Sequence, residues 1–354
     1  MRGNPTYDKT KKYRNLHISS QPVRERVQDV NSQYNFSSPI FIGGTGRSGT
    51  TLLQQILEKH PEIFCIPFES RFIIDTPGII DLVHHLSDGW TSANGDMVIR
   101  RFSRLMLIDL KRRWTFPYRG FSLSKFLGEP FYSQSVRAFI GELAPITYKG
   151  RTALRRGYLP QQIFHAPKRL RTEIIAICAA FIDSLFSQKM KKEGKIVWAE
   201  KTPHNILHIG FLTEMFPSAR FINVYRDPRD IVASLLTKPW APNDVRSATD
   251  WLISVYEGCD EQRREFPDVP IFNLKLEALV EKPEAELDRL VDFLKLGSPF
   301  DLSSLNLTKS NTGRWITDIE PSDQDVLQER LSNYIEQYGY SDKSTGENSE
   351  NTVG

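Results

Sequence analysis

Apolar positions along this chain fall into two alternating patterns. Short unbroken apolar runs, Pro39-Ile40-Phe41-Ile42, KIVWAEKTP from Lys195 and ARFINVYRD from Ala219, have the length and composition of buried strands. After each comes a stretch with helical apolar spacing: LLQQILEKH, then NILHIGFLTEMF, then the helix start DIVASLL. Strands that alternate with helices predict an α/β protein with a parallel sheet flanked by helices on both faces. A further strand, IFNLKLEAL, leads into the amphipathic segment EAELDRLVDFLKLG, whose helix is expected to close at Gly297. The helix VLQERLSNYIEQYGY completes the fold.

From His84 to Lys195 the pattern is mainly helical, as in RTEIIAICAAFIDSLFSQKMKK, and dense in aromatic and basic residues. This segment (84–195) reads as an insertion over the sheet edge, within a single domain spanning 38–340. Residues 1–37 are polar and basic and read as a loose arm, and 341–354 as a disordered tail.

Composition narrows the class. Forty per cent of the 354 residues are hydrophobic, ample for one large core. Cys65, Cys178 and Cys259 are far apart and show no C-x-x-C spacing, so neither a disulfide framework nor a thiolate zinc site is expected and a reducing cytosol fits. The N-terminus lacks the apolar run of a signal peptide or membrane span, which makes a cytoplasmic protein without a membrane span the expectation. A net charge of +3 implies no general adhesion to nucleic acid, so a nucleic-acid partner is not expected.

The first candidate site is the turn Gly44-Thr45-Gly46-Arg47-Ser48-Gly49-Thr50-Thr51 between the first strand and its helix. Glycines let backbone N–H groups approach an anion, and a helix N-terminus favours negative charge. Against the nucleotide-triphosphate pattern GxxxxGK[ST], the lysine position holds Thr50, and Arg47 inside the loop is the nearby cation. ATP or GTP turnover lacks its usual lysine here. A dinucleotide reading is weaker, because Glu69 follows Pro67 and Phe68 rather than closing a clean β run. The second candidate is RDPRDIVAS, where Arg226 ends a strand and Ser234 lies in the next helix: a guanidinium fork and a hydroxyl suited to a second phosphate.

Taken in order, these motifs resemble the sulfotransferases that use 3′-phosphoadenosine 5′-phosphosulfate (PAPS). GTGRSGTTLL is similar to their 5′-phosphosulfate loop and RDPRDIVAS to their 3′-phosphate motif. The likeness continues through HPEIFCIPFES, WAEKTP, LEALVEKPEAELDRLVDFLKL and NTGRWITDI, over roughly residues 39–340, and is nearest to the carbohydrate and tyrosyl-protein branch. The Golgi members of that branch have a membrane anchor that this sequence lacks, so a bacterial cytosolic enzyme is the easier expectation.

The resemblance implies an in-line sulfuryl transfer from PAPS, as co-substrate, to a hydroxyl acceptor with no metal. It makes Glu69 the base, with His60, His204 and His208 as alternatives, and gives Arg47 and Lys201 the stabilisation of the sulfuryl oxygens and leaving phosphate. Gly46, Arg47, Ser48, Gly49, Thr50 and Thr51 would bind the 5′-phosphosulfate, Arg226 and Ser234 the 3′-phosphate, and Arg314 is a third candidate there. The helical insertion would form the acceptor side. Its Arg100, Arg101, Arg104, Lys111, Arg112, Arg113, Arg151, Arg155, Arg156, Lys168, Arg169 and Arg171 lie among Trp114, Tyr118, Tyr158 and Phe164. That mixture suits a sugar or an acidic acceptor, while charge runs of this kind are also ordinary solvated helix faces. The competing readings are a P-loop kinase of a small metabolite, which would consume ATP with Mg²⁺, and a non-catalytic nucleotide-binding protein. Oligomeric state is not readable from the sequence.

Overall fold

The computed structural model describes residues 37–110, 122–154, 157–304 and 312–340. In chain order, β1 (Ile40–Gly44) leads to α1 (Thr50–Glu58) and β2 (Ile63–Cys65). Then come α2 (Ile79–Leu86), α3 (Ser92–Arg104), α4 (Leu123–Leu127), α5 (Phe131–Leu143), the ribbon β3 (Ile146–Leu154) and β4 (Gly157–His165), and the long α6 (Arg171–Lys192). The chain returns with β5 (Val197–Lys201), α7 (Ile209–Met215), β6 (Arg220–Tyr225), α8 (Pro228–Leu235), α9 (Val245–Glu265) and β7 (Ile271–Lys275). It ends with α10 (Leu276–Glu281), α11 (Pro283–Leu294), α12 (Arg314–Asp318) and α13 (Pro321–Gln337).

Five strands form one sheet in the order β2-β5-β1-β6-β7, and every neighbouring pair is parallel. Strand β1 is central and all five of its residues are buried, as its unbroken apolar run requires. Its side chains still alternate. Phe41 packs into one core, edge-on to Trp198 at 5.7 Å and stacked with Phe221 at 5.6 Å, while Ile40 and Ile42 enter the other core with Leu53 and Ile56. The α/β fold with a parallel sheet flanked by helices is therefore the one the hydrophobic pattern predicts.

The insertion differs from expectation in two ways. Its helices share one continuous core with Phe41, Phe64, Trp198 and Phe221 of the sheet, so they cover a sheet face rather than its edge. It also contains the antiparallel ribbon β3–β4, paired from Ile146 with His165 to Leu154 with Gly157, which the helical pattern did not anticipate. The residues explain it: Ile146, Thr147 and Tyr148 are β-branched or aromatic and favour extended backbone.

Three boundaries shift as well. The helix expected to close at Gly297 ends at Leu294, with Lys295 in the left-handed conformation (φ 53°) as its cap. NILHIGFLTEMF is not one helix but a 3₁₀ turn, Pro203–Leu207, broken at His208 before α7. His204 and His208 consequently do not share an α-helical face. The last strand stops at Lys275, where Leu276 already begins α10. Among the described residues no helix is long and apolar enough to cross a membrane. The arm (1–36), the tail (341–354), Lys111–Arg113, Trp114 and Tyr118, and the side chains of Arg151, Arg155, Arg156 and Tyr158 lie outside the described residues.

Candidate active site

In a parallel α/β sheet the strands end toward the same side, and their carboxyl ends open a crevice where ligands bind. Here the ends of β1, β5 and β6 frame a cavity of about 300 Å³, lined from the loop by Gly46, Arg47, Gly49, Thr50 and Thr51 and from the other walls by Glu69, Thr202, His204 and Arg226. Trp240, which is 57% exposed, and the partly buried Trp251 also line it, the Trp251 ring 6.2 Å from that of His204.

The loop after β1 takes its shape from backbone conformations that few residues adopt. Gly46 (φ 79°), Arg47 (φ 57°) and Gly49 (φ 100°) are all left-handed, which bends the loop tightly before α1 begins at Thr50. Gly49 has a second reason to be glycine: a Cβ there would lie 2.5 Å from Leu276 Cδ1. For Arg47 the left-handed backbone costs about 1–2 kcal/mol. Its side chain offsets this by donating from Nε to Ser234 Oγ at 3.0 Å, joining the loop to α8.

Arg226 leaves β6 with only 5% of its surface exposed and pairs with the fully buried Asp230 one helical turn on, at 3.3 Å. The neighbouring Asp227 is claimed by Arg229 at 2.8 Å, so a local Arg226–Asp227 pair does not form. Asp230 accepts two further hydrogen bonds, from the amides of Gly313 (2.9 Å) and Trp315 (3.1 Å), and so docks α12 against α8. Arg314, carried by that helix, is bonded to Asp318 at 2.6 Å.

Arg47 and Arg226 thus both line the cavity. Burial holds Arg47 below its ordinary arginine range, and repulsion from Arg226 and Arg314 adds to the effect. Among the described residues Arg47 meets no carboxylate at ion-pair distance. Ser48 is fully buried at the base of the loop, and its hydroxyl has no hydrogen-bond partner among the described residues. An unsatisfied buried hydroxyl costs about 1–3 kcal/mol, and an anion seated in the loop would supply the missing acceptor. The residues therefore fit a nucleotide carrying anionic groups at two ends.

The same cavity carries the proton-transfer candidates. Glu69 receives Lys201 Nζ on Oε1 at 3.1 Å and Arg71 on Oε2 at 2.9 Å, and Arg71 reaches on to Asp75 at 3.2 Å. Burial pushes the Glu69 carboxyl up, but Lys201 and Arg71 outweigh it, and the group lies below the usual carboxylate range. Lys201 itself is buried behind Glu69 and is 4% exposed. His204 lines the cavity, and burial holds its imidazole below the usual histidine range, in the neutral form. His60 is a structural residue: buried, it bonds the Ser298 carbonyl through Nε2 at 2.9 Å, accepts from the Glu62 amide and packs on Phe300.

The family model described as "Sulfotransferase family" matches residues 39–109 and 130–301, more than half of the chain. The chain belongs to the sulfotransferase family. Sulfuryl transfer, rather than phosphoryl transfer by a P-loop kinase, is the chemistry that family carries. The sulfotransferase is 24% identical over 275 residues to Protein-tyrosine sulfotransferase A of Caenorhabditis elegans, covering 76% of this chain and 52% of that one, so it spans about half the length of that relative. A Caenorhabditis briggsae protein also named for tyrosine sulfation is 21% identical over 268 residues, with 74% and 67% covered. Among solved structures, the sulfotransferase domain from the curacin biosynthetic pathway aligns with 86% of this chain and 98% of its own, at 14% identity and a TM-score of 0.47.

Of the residues singled out from the sequence, Gly46, Arg47, Gly49, Thr50, Thr51, Glu69 and Arg226 reach the cavity surface together. Ser48, Lys201 and Ser234 are buried immediately behind it, Ser234 bonded to Arg47 and Lys201 to Glu69. Arg314 acts on Arg47 through its charge from outside the lining. Arg100, Arg104, Arg169 and Arg171 of the insertion are ion-paired to Asp96, Asp109, Glu173 and Glu214, the behaviour of ordinary helix faces. Among described residues the insertion adds none to the cavity wall; His84 and Arg171 line a neighbouring groove. Arg71, Asp75, Trp240 and Trp251 escaped the sequence reading. Arg71 alone left a signal there, two residues after Glu69 in PFESRF.

Proposed function

We propose that this sulfotransferase moves a sulfuryl group from PAPS to a hydroxyl acceptor, with a tyrosyl hydroxyl the leading candidate. The observation that carries the reading is the placement of Arg47 and Arg226 on one cavity, with no carboxylate at ion-pair distance from Arg47 among the described residues. Such a pair is stabilised by an anionic nucleotide. The loop 45–51 and Arg47 hold the 5′-phosphosulfate, while Arg226, with Ser234 steadying Arg47, holds the 3′-phosphate.

Glu69 is ionised at neutral pH and lines the same cavity as the loop, where it can receive the acceptor proton. As the acceptor oxygen bonds to sulfur, the bond between sulfur and the phosphate oxygen breaks and negative charge leaves with the bisphosphate. Protonation of Glu69 removes the counter-charge from Lys201, so the ammonium becomes available to that departing charge. Transfer of acceptor proton and release of a cation are thereby coupled through one contact. The names of the relatives and the indole walls of Trp240 and Trp251 support an aromatic acceptor. Free, buried Cys65, Cys178 and Cys259 support a reducing, cytosolic setting.

Incubation with ³⁵S-labelled PAPS and a panel of tyrosyl peptides, phenols and glycans tests this directly. Label in an acceptor, lost in Glu69→Gln, is the expected result; PAPS binding without turnover toward any acceptor would leave a binding protein instead.

A further inference from the structure

Directly beneath the cavity lies a carboxylate that the chemistry above does not use. Glu200, the penultimate residue of β5, is completely buried and adjoins Lys201. Its Oε1 accepts from the Ser70 amide at 3.0 Å, the Ser70 hydroxyl at 2.9 Å and the Thr202 hydroxyl at 2.7 Å. Its Oε2 accepts from Asn205 Nδ2 at 2.7 Å, and Asn205 also donates to the Ile42 carbonyl of β1 at 3.2 Å.

Those donors, with the Ile42 carbonyl that Asn205 also reaches, lie on three separate segments, each beside a residue of the site. Ser70 follows Glu69, Thr202 follows Lys201, and Ile42 lies two residues before the loop's first glycine turn. Glu69 is on a stretch without helix or strand, so nothing in regular secondary structure sets its distance from Lys201. We propose that Glu200 is a positioning residue: through Ser70 and Thr202 it holds the Glu69 carboxylate against Lys201, and through Asn205 it ties that pair to the base of the phosphate loop. This rests on Glu69 and Lys201 acting as described above.

All four partners are donors, so the site requires an acceptor at both oxygens. Burial pushes the Glu200 carboxyl up, and the four donors act against it. A glutamine at this position would aim an amide N–H₂ at a donor on one side whichever way it turned. Loosening Ser70 would let Glu69 drift from Lys201, and a misplacement of about 1 Å in a catalytic group can cost about 10²-fold in rate.

The test uses the full chain. Glu200→Gln should lower kcat about 10²-fold with little change in the KM for PAPS, and should move the acidic limb of the kcat/KM profile upward as Glu69 loses Lys201. Ser70→Ala, which removes a single contact and keeps the fold, should shift the limb in the same direction by less. ¹³C NMR titration of the Glu69 carboxyl reads the same displacement without any turnover: a higher pKa in Glu200→Gln and Ser70→Ala supports the proposal even if no acceptor is found. A Glu69 titration unmoved in folded Ser70→Ala and Glu200→Gln would overturn it, as would a loss confined to KM.

Discussion

Glu69 carries two opposite charges' worth of neighbours and one duty. A base paired with Lys201 and Arg71 titrates lower than a free carboxylate, so the acidic limb of kcat/KM should lie at lower pH than an unpaired glutamate would give. Its depressed carboxyl also favours folding above the unfolded pKa of about 4.3, a contribution lost as pH drops through the lower folded value. Replacing it by glutamine should reduce kcat about 10²–10⁴-fold while leaving PAPS affinity within a factor of a few, measured by label transfer and calorimetry. If His204 were the base instead, the limb would lie nearer the histidine range and His204→Asn, not Glu69→Gln, would carry the loss. Arg226→Ala should weaken PAPS far more than adenosine 5′-phosphosulfate, since only PAPS has a 3′-phosphate; equal loss for both would remove that role from Arg226.

Elements differ in how plainly the sequence announces them, and the reasons are physical. The unit β1–loop–α1 is legible because an apolar run buried on both faces, glycines and an amphipathic stretch coincide within 19 positions, 40–58. Strand β2 has three residues, too few for any periodicity, and exists because Phe64 fits the core and Ile66 donates its amide to the Ala199 carbonyl. The break at His208 and the left-handed Lys295 are set by packing and cap geometry that no spacing encodes. Of the site, Arg47, Lys201 and Arg226 are readable from their motifs, whereas Arg71, Asp75, Trp240 and Trp251 join the same cavity only through the tertiary fold. At this scale Gly49→Ala is a direct probe. The added methyl meets Leu276 Cδ1 at 2.5 Å on a backbone that disfavours side chains, so unfolding stability should fall by about 1–3 kcal/mol in denaturant titration.

For the molecule as a whole, the donor should act as a fold stabiliser. Adenosine 3′,5′-bisphosphate at a hundred times its Kd would add about 2.7 kcal/mol and raise Tm; Arg47→Ala should shrink that rise at the same ligand concentration, while Arg226→Ala, which leaves the buried Asp230 without its partner, should also lower the ligand-free Tm. Asp230 extends the same connection toward the C-terminal end: Asp230→Ala deprives the Gly313 and Trp315 amides of their acceptor and should speed their hydrogen exchange while weakening PAPS. The bond between Arg47 and Ser234 joins turns 187 positions apart. Held in that way, the two turns form a fixed caliper, its jaws set before any nucleotide arrives. Analogues with the 3′-phosphate moved to the 2′ position, or with a methylene spliced into the 5′ chain, have every needed charge yet the wrong span, and should be refused on length alone.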